Sequence, residues 1–292
     1  MRKKIFCLVI FAFFASCEKG PPTETKKPLV WVSIAPYQKI IQRLAGPDIE
    51  VETIVPGQVD PHSFEPTSRQ VIHMDRGLVW FRIGEPFEKK ILPLLQKRNP
   101  QLVTLDLREN IELITEEGPS CSHCSIDHQD RHIWMSPKTT QIQAIQIART
   151  LQQVFPEKKQ EIAQNLEALS KDLLELDAKI QTLLSSSVHR TILVSHPAFG
   201  YFCKDYACTQ LSVEYEGKDP RPKHIEKILA QATLHQTRIA IVLPQYNNKG
   251  AQLLAEKLHI PVHMVDPYSS DYFETLLSLA NLIANSKQSS TP

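Results

Sequence analysis

Four side chains of this sequence could share a metal ion: His62, His132, His196 and Asp266. His62 lies in "VPGQVDPHSFEPT", a loop punctuated by proline and glycine after the apolar run "VETIV". His132 sits in a loop ahead of "IWMSP" and the helical "KTTQIQAIQIARTL". His196 directly follows "TILVS", and Asp266 directly follows "VHMV". In open α/β sheets, ligands bind at the carboxyl ends of strands, where loops converge. Two residues from each half of the chain are therefore expected to meet in a cleft between two lobes. Three neutral imidazoles and one carboxylate suit a divalent transition metal such as Zn2+. Four protein ligands leave no vacant position for an activated water, which favours binding over catalysis.

A second constellation competes for His132. "CSHCSIDHQDRHIW" (121–134) sets Cys121 and Cys124 close to His128 and His132, like a zinc finger in miniature. A finger needs about 12 residues between its cysteine and histidine pairs. Here only Ser125, Ile126 and Asp127 separate Cys124 from His128, too tight a spacing for one tetrahedron. His132 is better used in the cleft. The chain has 11 histidines. His73, His189, His224, His235, His259 and His263 fall on helix faces, in strands or in turns, and read as surface or packed residues.

The elements that must position these groups alternate between short apolar runs and longer amphipathic segments, the pattern of α/β lobes. Strands of a first lobe are expected at 29–33, 51–55, 77–83 and 102–105. Those of a second are expected at 191–195, 209–213, 238–243 and 262–265. From Pro156 to about Leu184 there is no glycine and no internal proline. Leu166, Leu169, Leu173, Leu176, Ile180 and Leu183 recur every three or four residues, marking an amphipathic helix. Roughly 28 residues at 1.5 Å each extend roughly 40 Å, the length of a small two-lobed protein. The periodic stretch is too short to favour a coiled-coil dimer, and a monomer is expected.

The chain's beginning reads as an export signal. Arg2, Lys3 and Lys4 precede an apolar run, "IFCLVIFAFF", too short to span a bilayer. It ends in "FASC", which resembles a bacterial lipobox with Cys17 as the lipidated residue. Phe14 stands where leucine is usual, and ordinary cleavage near Ala15 or Ser16 is the alternative. Either way the protein is exported. Residues 18–28 then read as a polar tether. In an oxidising compartment the pairs Cys121–Cys124 and Cys203–Cys208 could each form a disulfide. Net charge is +1, without the basic excess of a nucleic-acid-binding protein, and 42% hydrophobic residues suit a globular fold.

"DPHSFEPT", "RHIWMSP", "SHPAFGYFCKDY", "LPQYNNKGAQLLAEKL" and "VDPYSSDYFETL" occur in that order. Together they resemble the zinc/manganese solute-binding proteins of bacterial ABC transporters, the ZnuA/TroA-like family, over about 29–283. The resemblance implies two α/β lobes joined by one long rigid linker helix, with the metal between them. It assigns residues 29–155 to the N-terminal lobe, 156–187 to the linker and 188–292 to the C-terminal lobe, after a signal at 1–17. It also implies His62, His132, His196 and Asp266 as ligands, the four already placed by position. His196 resembles the zinc-type branch, since the manganese-type branch usually carries glutamate there, a harder donor. Mn2+ or Fe2+ remains the alternative cargo.

Zinc-type members often carry a mobile histidine- and acid-rich loop before the second ligand, and "CSHCSIDHQD" looks like a short version of it. Two readings of the loop stay open. His123 and His128, with reduced cysteines, form an accessory metal site, or Cys121 and Cys124 close a small disulfide loop. The expected partners are a membrane permease and its ATPase, with the receptor in the periplasm or on the outer face of the cytoplasmic membrane. A periplasmic zinc hydrolase is the main rival class, and a surface adhesion protein with a structural metal is the second. Against the hydrolase, there is no H-E-x-x-H pair, and Glu65 and Asp60 are the carboxylates such an activity would need.

Overall fold

The computed structural model describes residues 26–115, 129–214 and 222–286. The first lobe runs β1 (Leu29–Val32), α1 (Pro36–Ala45), β2 (Glu50–Thr53), α2 (Ser68–Met74), β3 (Val79–Arg82), α3 (Pro86–Arg98) and β4 (Val103–Asp106). α4 (Pro137–Val154) and α5 (Lys159–Ser185) follow. The second lobe runs β5 (Thr191–Val194), α6 (Gly200–Tyr206), β6 (Thr209–Ser212), α7 (Pro222–Leu234), β7 (Ala240–Val242), α8 (Lys249–Leu258), β8 (Val262–Met264) and α9 (Tyr272–Ala284). All eight expected strands form. The sheets are parallel, with orders β2-β1-β3-β4 and β6-β5-β7-β8.

The central strands are apolar runs because helices cover both faces of a parallel sheet. "LVWV" of β1 and "AIV" of β7 are buried at every position. Prolines open α1, α3 and α4, where a missing backbone donor costs nothing. In both sheets the chain order reverses beside a central strand, β1 or β5, and loops at such a switch point splay apart to leave a crevice.

α5 is the expected linker. Ile162, Leu169, Leu173, Leu176, Ile180 and Leu184 form its buried face, each worth about 2 kcal/mol. It packs against α1 and α4 from the first half of the chain and α9 from the second. Two details depart from the sequence reading. Leu184, not Leu183, completes the buried stripe. Pro156 opens a separate 3-10 turn, Pro156–Lys158, because Phe155 leaves the helical conformation before it.

The lobes are also joined directly. Trp134 Nε1 donates to Pro267 O at 2.8 Å, and the Tyr272 hydroxyl donates to Thr140 Oγ1 at 2.9 Å. Gln245 Nε2 donates to Gly57 O at 2.8 Å. No described helix is long and apolar enough to cross a membrane.

Cys203 and Cys208 correct an expectation: both are free thiols, not a disulfide. α6 ends in a left-handed cap at Ala207, and the Cys208 amide returns to Cys203 O. This turn leaves the Cys203 side chain in the core, while Cys208 Sγ faces Tyr206 O.

Candidate metal centre

Each histidine is anchored by its backbone and then aimed by a carboxylate. His62 lies in the loop after β2, its amide donating to Asp60 Oδ1 at 3.0 Å. Its Nδ1 meets Glu85 Oε2 at 2.9 Å. Glu85 sits fully buried at the turn from β3 into α3. That turn needs Gly84, whose φ of +86° strains any other residue and where a side chain would also displace the Arg108 guanidinium. Glu88 pins the same turn, accepting from the amides of Ile83 at 2.9 Å and Gly84 at 2.8 Å. Burial pushes the Glu88 carboxyl up to about 7, although these donors oppose the shift.

His132 is the most enclosed of the three, at 2% exposure. Asp130 Oδ1 accepts from its amide at 2.8 Å and meets its Nδ1 at 2.7 Å. Ser136 ends this segment as the cap of α4, accepting from the amides of Lys138 and Thr139. His196 lies two residues beyond the end of β5, and its Nδ1 meets Glu214 Oε2 at 2.8 Å. The Tyr246 ring stacks on the His196 ring at 3.8 Å and 8°.

With every Nδ1 turned to a carboxylate, Nε2 is the nitrogen on each ring that is placed to offer a lone pair to a metal. Such carboxylate partners fix the tautomer and raise the basicity of the ligand. One ligand-capable atom from each of His62, His132 and His196 lies within 4.8 Å of the others. The His132 and His196 Nε2 atoms are 3.3 Å apart. Two Zn–N bonds of about 2.05 Å at a tetrahedral angle place their nitrogens about 3.3 Å apart, so this pair already has the spacing of one edge.

The electrostatics favour neutral imidazole at the centre. Burial, followed by the charges of His196 and His62, holds His132 well below the usual range. Burial also pulls His62 down, but the charge and hydrogen bond of Glu85, with Asp60, outweigh it and leave it raised. Burial pushes the Asp130 carboxyl up to about 6 against the hydrogen bond from the His132 amide.

Asp266 stands at the end of β8 as expected but is not one of the groups converging within 4.8 Å. Its Oδ1 accepts from Gln245 Nε2 at 2.8 Å and from the Tyr268 amide at 2.9 Å. Tyr268 links it to the centre, since its hydroxyl lies 3.0 Å from His132 Nε2. Cys17, Cys121, His123, Cys124 and His128 lie outside the described residues. Glu65 is paired with Lys90 at the surface. Asp60 is committed to the His62 amide, Ser63 and Tyr246.

Sequence reasoning passed over Glu85, Glu214 and both tyrosines, and treated Asp130 only as a neighbour of His132. The two glutamates follow β3 and β6 almost as closely as His196 follows β5. That shared position at strand ends was the signal available.

Two parallel-sheet lobes around three carboxylate-backed histidines define a metal-binding protein of the two-lobed receptor class. The chain belongs to the family described as the zinc-uptake complex component A, periplasmic (ZnuA), whose model matches residues 30–286. It is 31% identical over 283 residues to a protein of Chlamydia trachomatis named for metal binding, covering 97% of this chain and 99% of that one. It is 26% identical over 262 residues to the high-affinity zinc uptake system protein ZnuA of Haemophilus ducreyi, covering 82% and 84%. Among solved structures, a zinc-bound ZnuA deletion mutant superposes with a TM-score of 0.83 at 26% identity, covering 91% of this chain and 100% of that one.

Proposed function

We propose that the protein is an extracytoplasmic receptor that captures a divalent transition metal, zinc by preference, and delivers it to an ABC permease powered by its ATPase. The carrying observation is the set of three histidines within 4.8 Å, each aimed by a carboxylate. Three nitrogen donors suit zinc better than Mn2+, which prefers oxygen, while Fe2+ is intermediate. Asp266 completes the shell by leaving Gln245. A monomer tethered by a lipid on Cys17 fits this role.

Three features argue against a hydrolase. With Asp266 added, the three converging histidines would leave no open position for a water, Glu65 is paired at the surface, and Asp60 already accepts three hydrogen bonds. Release to a permease needs a first shell that can be opened. The direct bonds between lobes and the long α5 favour a modest local shift over wide closure.

Reversibility tests the reading. Stripped with a chelator, the receptor should keep its far-ultraviolet circular dichroism and a cooperative melt, and then take up one zinc equivalent. Adding zinc should raise its melting temperature, because a ligand that binds only the folded state stabilises it. Loss of the fold on stripping would instead make the metal structural.

A further inference from the structure

Among the described residues, the Tyr268 hydroxyl meets a histidine nitrogen that the proposed cargo would use. It lies 3.0 Å from His132 Nε2 and 3.0 Å from the Tyr246 hydroxyl. Tyr246 in turn donates to Asp60 Oδ1 at 3.0 Å. Tyr268 is buried, its ring packed against those of His132 and Trp134, so its hydroxyl has no bulk water to turn to. The amide of the same residue holds Asp266 Oδ1 at 2.9 Å.

We propose that Tyr268 is a release residue, whose hydroxyl toggles between His132 Nε2 when the site is empty and Tyr246 when the site is loaded. This rests on the receptor reading above. The His132 Nδ1 hydrogen faces Asp130, so Nε2 presents a lone pair that the Tyr268 hydroxyl can cap. An ion arriving at that lone pair displaces the hydroxyl. It then finds a ready acceptor in Tyr246, whose own proton goes to Asp60, so every donor in the line has an acceptor. Without the hydroxyl, His132 Nε2 in the emptied receptor would face only His196 Nε2 at 3.3 Å, which has no hydrogen to give while the His196 proton sits on Nδ1 toward Glu214, and an unsatisfied buried acceptor is costly. Tyr268 thus stabilises the empty state and eases the departure of the cargo.

Two isosteric substitutions test this, because they act on opposite states. Tyr268→Phe penalises the empty state more than the loaded one, in which Tyr246 keeps its bond to Asp60, and should bind zinc about tenfold tighter, mainly through slower loss to a competing chelator. Tyr246→Phe keeps the ring stacked on His196 but removes the acceptor needed by the loaded state. It should bind zinc about fivefold more weakly. General loosening of the site would weaken both. Shifts of the same sign, or a Tyr268→Phe affinity within twofold of the unaltered protein, would overturn the proposal. Crystal structures of the unaltered protein with and without zinc give a check independent of variant folding. The Tyr268 to His132 hydrogen bond should be present without the ion and absent with it, and its persistence beside bound zinc would refute the toggle. Failure of the receptor reading looks different, since the unaltered protein would then bind no zinc.

Discussion

His132→Ala is expected to weaken zinc binding by about 10²–10³-fold. Structural zinc sites release about 10–16 kcal/mol over four ligands, so one ligand carries about 2.5–4 kcal/mol. His132 should sit at or above the middle of that range. Its Nε2 is 3.3 Å from that of His196, its ring centroid is 5.2 Å from that of His62, and it is almost entirely enclosed. Water cannot easily take its place. Truncation also leaves a cavity against Trp134 and Tyr268, which should cost the metal-free protein about 2–4 kcal/mol of stability. Competition against a chromophoric chelator measures the affinity, and a metal-free denaturant melt measures the stability. Zinc affinity within tenfold of the unaltered protein would remove His132 from the ligand set.

Asp130→Asn carries the second large effect, without touching a ligand. Replacing a carboxylate behind a metal-bound histidine typically costs 10–100-fold in affinity. Here the asparagine oxygen can still accept from the His132 amide, so the backbone of the 130–132 turn should hold. What is lost is the negative charge 2.7 Å from Nδ1 that orients the ring and makes Nε2 a better donor. The expected result is a 10–100-fold weaker zinc complex at nearly unchanged metal-free stability. Glu214→Gln should behave alike through His196. An unchanged affinity in both would mean that the histidines are positioned by packing alone.

The contrast between these two variants shows what could be read before the fold was known. Parallel strands are buried on both faces, so "LVWVS" and "TILVS" announce themselves as apolar runs. A residue at the end of such a run, His196 or Asp266, is then placed near the crevice by topology alone. The linker was equally plain, because leucine every three or four residues without glycine has few other readings. Glu85 and Glu214 were not plain. A glutamate after a strand looks like any surface charge until the fold sets it beside its histidine, which joins Glu85 to His62 and Glu214 to His196 from the ends of different strands. The Cys203–Cys208 pairing failed for a local reason: the left-handed cap at Ala207 sends the two side chains to different surroundings. The position of Asp266 against Gln245 and Tyr268 was also beyond the strand-end rule, which places a residue but not its rotamer.

The most direct test of the central claim is competitive metal binding by the soluble mature domain, prepared metal-free, with zinc, manganese and iron(II). It should be repeated with His196→Ala and with Cys121 and Cys124 both replaced by serine. One tight zinc equivalent is predicted, preferred over manganese, lost with His196 and kept without the cysteines. Binding that survives His196→Ala but disappears with the cysteine pair would contradict the account and move the site to the 121–132 loop.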